Sequence, residues 1–146
     1  MQELLSKDMK RFNYLANEID YAYHEAALKL HLSDSAMLIL YAICSGGKEY
    51  YPLCNIYNLS GVSKQTLNSA LRKLESEDIV YLKLSGKKKK LIYLTEKGKD
   101  VVSSTVVRLI EIENMIFNSW TKDEQNIYLE LTQRYLSDFK EKIKYL

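Results

Sequence analysis

The sequence predicts a mainly α-helical chain with one small β-hairpin, arranged as a helix-turn-helix and wing between long N- and C-terminal helices. Three observations predict it. Residues after Ser63 follow a helical period, residues 79–94 alternate as two strands around a lysine-rich turn, and both ends of the chain carry apolar residues at three- and four-residue intervals. Helix, hairpin and following helix, in that order, make a winged helix.

The central helix opens at Ser63, whose side chain suits an N-cap, and buries one face made of Leu67, Ala70, Leu71 and Leu74. At about 100° per residue, the opposite face carries Gln65, Asn68, Ser69 and Arg72, with Lys73 on its flank. None of these is acidic and all donate hydrogen bonds. Gln, Asn and Arg have planar forks that match adenine and guanine edges in the major groove. Leu59-Ser60-Gly61-Val62 supplies the preceding turn, with glycine where a backbone free of Cβ strain is needed. A solvated polar face on a core helix gives the same pattern, because helix-turn-helix units also occur in proteins that never touch DNA.

Ile79 to Leu84 reads as the first strand of the hairpin, Ser85-Gly86 as its turn and Leu91 to Leu94 as the second strand. Lys87, Lys88, Lys89 and Lys90 form the expected tip. Four adjacent ammonium groups repel one another, which a polyanion would relieve; a merely solvated loop is the plainer reading. Charge is segregated along the chain. Residues 60–97 hold nine Lys or Arg against four Asp or Glu, whereas residues 1–59 hold five against seven and residues 98–146 seven against eight. The whole-chain charge of +2 therefore conceals a basic middle, the footprint expected of nucleic-acid binding.

These residues resemble the MarR family of bacterial winged-helix regulators over nearly the whole chain. The resemblance is carried by Gly61-Val62-Ser63-Lys64, by Leu71-x-x-Leu74-Glu75 running into Ile79-Val80, and by Leu94-Thr95-Glu96-Lys97-Gly98. It implies a dimer that binds palindromic operators, usually as a repressor, and in many members releases DNA on binding a small phenolic or lipophilic ligand. Three positions depart from the family pattern. An Asp-Arg-Arg wing motif is replaced by Gly86 and four lysines, which favours phosphate contact over narrow-groove readout. Asp78 stands where glycine commonly follows the recognition helix, and Asp tolerates a left-handed conformation better than most residues. Tyr57 occupies a position where a small alanine is usual, and the sequence offers no reason for it.

At 146 residues and 47% hydrophobic content the chain is long enough to fill one core without metal or disulfide staples. Charges interrupt the first 30 residues every few positions, so no signal peptide is expected, and no apolar run approaches a membrane span; a cytoplasmic protein is expected. Residues 2–30 are expected to be helical, with Leu5, Phe12, Leu15, Ile19, Tyr23, Ala26 and Leu30 on one stripe. A second helix is expected at about 34–45, with Met37, Leu38, Leu40, Tyr41 and Cys44 inward, ended by Gly46-Gly47. Glu49 to Tyr51 suits a short strand pairing with the wing, and Pro52 the first turn of a helix at about 53–59.

Thr95 caps a helix expected to run to about Ser119, with Val102, Val106, Leu109, Ile110, Ile116, Phe117 and Trp120 on its apolar side. Thr121 with Glu124 forms a capping box for the last helix, along which Ile127, Tyr128, Leu131, Tyr135, Leu136, Phe139, Ile143 and Leu146 recur. Terminal helices of roughly 35 Å are too long for a small core to cover. A second copy covers them economically, pairing residues 1–20 and 104–146 of both chains about a two-fold axis; a monomer with folded-back ends is the alternative. The expected organisation is one MarR-like domain, residues 1–146, in which 1–30 and 99–146 dimerise and 31–98 bind double-stranded DNA.

Other constellations carry less. Cys44 and Cys54 are expected to be buried inert thiols rather than a redox switch. His24 and His31 lie two turns apart with no third ligand, so no metal is expected, and no cofactor motif is present. Tyr14, Tyr21, Tyr23 and Tyr41 fall on helices that in the resembling family border a ligand cavity, although core and interface packing explains tyrosines equally well. No nucleophile elbow, HExxH or phosphate loop points to an enzyme.

The sequence-based expectation is a homodimeric regulator that reads bases through Gln65, Asn68, Ser69 and Arg72. Ser63, Lys64, Thr66, Lys73 and Lys87 to Lys90 are expected to hold the phosphate backbone. The rival is a winged-helix module that offers its basic face to an acidic protein.

Overall fold

The structure, a computed structural model, describes residues 4–59 and 61–146. Gln2 and Glu3 of the expected first helix, and Ser60 of the expected turn, lie outside the described residues. The chain divides into two compact units that meet between Leu109 and Ile110.

In the first unit, α1 (Lys7–Lys29) begins later than the apolar period suggested, because Ser6 accepts a hydrogen bond from the Met9 amide and fixes the start. It ends in a Schellman turn. The Leu32 amide reaches the Ala27 carbonyl, the His31 amide reaches that of Leu28, and His31 sits at φ 56°. His31 is thus a helix-terminating residue, while His24 bonds the Asp34 carboxylate at 2.9 Å. No cluster of metal-binding side chains forms among the described residues.

Helix α2 (Asp34–Ser45) is capped by Ser33 and buries Ala36, Met37, Ile39, Leu40, Ala42 and Ile43, nearly its whole circumference. Leu38, Tyr41 and Cys44 are partly buried against the same core. The strand β1 (Tyr50–Pro52) follows, one residue later than expected. Pro52 therefore closes the strand and stands just before α3 (Leu53–Ile56), a single turn shorter than the expected helix.

Helix α4 (Lys64–Ser76) drives Leu67, Leu71 and Leu74 into the core beside α2. A second Schellman turn ends it, the Ile79 amide reaching the Leu74 carbonyl with Asp78 at φ 58°. Aspartate does adopt the left-handed conformation that glycine takes more easily. The strands β2 (Val80–Ser85) and β3 (Lys89–Leu94) then pair antiparallel, with β1 on the other side of β3, giving a three-stranded sheet ordered β1-β3-β2.

Helix α5 (Glu96–Ser104) and helix α6 (Val106–Asn118) replace the single expected helix; the chain breaks at Thr105, with φ −125° and ψ −97°. Ser103, Ser104 and Thr105 each turn their hydroxyl back onto a carbonyl three or four residues earlier, at 2.7–3.3 Å, in a stretch rich in β-branched residues. Such back-bonding bends and weakens a helix.

The second unit holds the rest of α6 and α7 (Lys122–Ile143). The capping box is present, Thr121 accepting from the Glu124 amide at 3.2 Å while Glu124 accepts from the Thr121 amide at 2.8 Å. Hydrogen bonding of the carboxylate to the Thr121 amide, and secondly to the Thr121 hydroxyl, holds the Glu124 carboxyl below its ordinary range. Trp120 packs between Phe117 and Tyr128 at ring distances of 5.3 and 5.2 Å. No residue of α7 is buried.

Candidate nucleic-acid interface

The N-terminus of α4 is built by local hydrogen bonds. Ser63 accepts from the Thr66 amide at 3.2 Å, and its hydroxyl is hydrogen-bonded to the Thr66 hydroxyl at 2.8 Å. Ser63 and Thr66 therefore stiffen the helix start. Its first turn has no acidic residue, so the positive end of the helix dipole is uncompensated and suits a phosphate. Lys64, Gln65, Ser69, Arg72 and Lys73 are exposed around it. Lys73 lies 3.9 Å from Glu77, an exposed pair that leaves both groups largely to solvent.

Asn68 departs from this row. It is half-buried, and its carboxamide oxygen accepts a hydrogen bond from the Tyr57 hydroxyl. The face of the same phenol ring carries the Lys64 ammonium, 4.7 Å from its centroid. Tyr57, unexplained by the sequence, is therefore tied to two residues of α4. The sequence signal was a large aromatic just upstream of the turn, but only the packing of α3 reveals its partners.

The wing is differently built from expectation. Ser85 pairs with Lys89 and Leu84 with Lys90, so the turn is Gly86-Lys87-Lys88, with Gly86 at φ 65° and Lys88 at φ 72°. Lys89 and Lys90 are strand residues, not tip residues, and their Cβ atoms start on opposite faces of the pleat. All four lysines are exposed.

Because β1 ends where Pro52 pairs with Leu91, the edge of β3 beyond it is unpaired on that side. A groove of about 660 Å³ opens there, lined among others by Lys48, Lys88, Lys89 and Lys90 and by Tyr50 and Tyr57. Its charge suits a polyanion. Cys54 also lines it and is exposed, contrary to the expectation of two buried thiols. Cys44 is half-buried, and burial pushes its thiol up.

The Thr95-Glu96-Lys97-Gly98 stretch ties the end of α4 to the residues that lead into the wing. Thr95 caps α5 through the Gly98 amide at 2.9 Å and donates to the Asp78 carbonyl at 2.5 Å. Lys97 reaches the Glu77 carbonyl at the end of α4, at 2.7 Å. A side chain at Gly98 would begin 1.9 Å from the Ile79 carbonyl oxygen, so only glycine fits. The end of α4, the start of the wing and α5 are thus joined at one point.

Of the four tyrosines considered for a ligand, Tyr14 and Tyr21 are about 60% exposed on α1 and Tyr23 is 37% exposed, while Tyr41 packs against the core. None lines the groove or the smaller cavity of about 190 Å³ beside Cys44, Tyr81 and Tyr93.

No protein-family model matches the sequence, and no curated protein matches it. Solved structures do match. A MarR family regulator from Neisseria meningitidis superposes with a TM-score of 0.75 at 18% identity, covering 94% of this chain and 96% of its own. The MepR–DNA complex of S. aureus gives 0.67 at 16% identity, covering 92% and 98%. A MarR family regulator from Silicibacter pomeroyi gives 0.64 at 24% identity, covering 86% and 88%. The chain has the MarR fold. In that fold, α4 stands as the second helix of the helix-turn-helix and the β2–β3 hairpin as the wing. No single helix among the described residues is long and apolar enough to cross a membrane.

Proposed function

We propose that this chain is a homodimeric, sequence-specific DNA-binding regulator that acts as a repressor by occupying its operator. The observation that carries the reading is the exposed row Gln65, Ser69 and Arg72, beside a capped, acid-free helix N-terminus and a lysine wing on the same unit. Donors in a row read base edges; ammonium groups and helix amides hold phosphates. The MepR–DNA complex, which shares the fold, supports the choice of ligand.

Dimerisation is supported by the uncovered apolar stripes. Phe12, Leu15 and Ile19 of α1 are 48–55% exposed, and Leu131, Tyr135, Leu136 and Phe139 of α7 are 45–52% exposed. Monomeric surfaces rarely leave such stripes open. A two-fold pair would also place two copies of α4 one duplex turn apart, about 34 Å.

The test is a gel shift of the purified protein on the DNA flanking its own coding region and on bulk competitor, across a salt series. Tight, salt-sensitive binding with a protected footprint is expected. Binding to acidic proteins but to no duplex would instead favour an interaction module. Release by a small aromatic ligand needs a cavity, and the four tyrosines line neither of the two described, so the proposed regulator has no assigned effector.

A further inference from the structure

We infer that Tyr57 is a specificity-determining positioning residue: by donating to the Asn68 carbonyl it leaves Asn68 only amide N–H donors with which to read a base. The inference rests on the DNA-binding reading. An asparagine free to turn offers both an acceptor and donors, and pairs two-pronged with adenine N6 and N7. Here the oxygen is directed at Tyr57, and among the described residues no hydrogen bond engages the two N–H groups of the carboxamide. Guanine offers such donors two acceptors, O6 and N7, and thymine offers O4, whereas adenine offers N7 alone beside an N6–H2 group that finds no acceptor, so guanine or thymine is favoured over adenine on the contacted strand.

Two features fix that orientation. Ile56 is fully buried and Tyr57 packs against the core, so α3 holds the ring in place beneath α4. The Lys64 ammonium stands over the ring, 4.7 Å from its centroid, and a cation on the ring face draws electron density from the phenol, which makes the hydroxyl a better donor and favours an oxygen rather than an NH2 group opposite it. The same ring seats Lys64 at the first residue of α4, where its charge faces a phosphate. Tyr57 thus sets one base contact through its hydroxyl and one backbone contact through its ring. Ser69 and Arg72 stand outside this arrangement and serve as internal controls.

The experiment selects bound sequences from a randomised duplex pool with wild type, Tyr57→Phe, Tyr57→Leu and Asn68→Ala, alongside salt-titrated binding to bulk DNA and a thermal melt. Wild type is expected to enrich guanine or thymine at one position in each half-site. Tyr57→Phe keeps the ring and the Lys64 seat, so bulk affinity and salt slope stay as in wild type while discrimination at that one position falls about tenfold or passes to adenine. Asn68→Ala loses the same position, and adding Tyr57→Phe to it changes nothing more. Tyr57→Leu also lowers the salt slope by about one. A wild-type pool with no enriched sequence sinks the DNA reading and this inference with it. An enriched pool with the same profile in Tyr57→Phe sinks the inference alone, as does a uniform loss across all positions.

Discussion

A methyl group at position 98 would sit 1.9 Å from the Ile79 carbonyl, which itself accepts from the Thr95 amide at 3.0 Å. Neither side of that contact is a flexible side-chain tip. Gly98→Ala is therefore expected to cost about 3 kcal/mol in a urea titration, since overpacking against fixed backbone is expensive; an unchanged midpoint would mean that α5 slides freely. The thiols give a second residue-scale prediction. Cys54 is exposed, while burial raises the Cys44 thiol above its ordinary value and keeps it neutral. Iodoacetamide should label Cys54 first by intact mass, and simultaneous labelling would contradict the burial of Cys44. Caps such as Ser63, Thr95 and Thr121 were legible in the sequence because each acts on amides two or three residues away. Gly98 and Tyr57 were not, because their partners lie 19 and 11 residues away and become neighbours only after folding.

The wing shows what alternation alone leaves open at the level of an element. The two strands were readable as Ile79 to Leu84 and Leu91 to Leu94, but register decides which lysines turn and which pair, and the Ser85 and Lys89 pairing assigns only Lys87 and Lys88 of the four to the turn. Lys88 holds φ 72°, a conformation that costs a side-chain-bearing residue roughly 1 kcal/mol. Lys88→Gly should stabilise the hairpin by about 0.5 kcal/mol after the entropy of glycine is counted, and weaken DNA binding at low salt. Equal affinity in a salt series would remove Lys88 from the backbone contacts. The helix break at Thr105 escaped the apolar period because Val102 and Val106 continue it across the break, while the hydroxyls of Ser103 to Thr105 end the hydrogen-bond ladder. At α7, the Glu124 carboxyl is held low by its bonds to Thr121, so its contribution is present above the ordinary carboxylate range and is lost as pH falls through the lowered value. Glu124→Gln should lower the thermal midpoint near neutral pH, and the gap to wild type should close on acidification; a gap independent of pH would detach it from that carboxylate.

At the scale of the whole molecule, the winged helix was legible because its periods, its caps and its basic segment agree with one another. The exposed stripes were legible as apolar helices but not as surfaces, since periodicity does not say which neighbour covers a face. If a second copy does, sedimentation should give twice the chain mass, and Phe139→Lys, at a position 52% exposed in one chain, should halve it. A wild-type mass of one chain would end the dimer proposal. With none of its 22 residues buried, α7 has little beyond its own propensity to keep it helical, which is marginal at that length. If a second copy covers it, as proposed, its order is borrowed from association, and the melting temperature should then climb as the protein is made more concentrated. A cell with few copies would hold unpaired chains that grip DNA weakly, and a modest rise in synthesis would switch the pair on abruptly. Abundance itself would act as the signal.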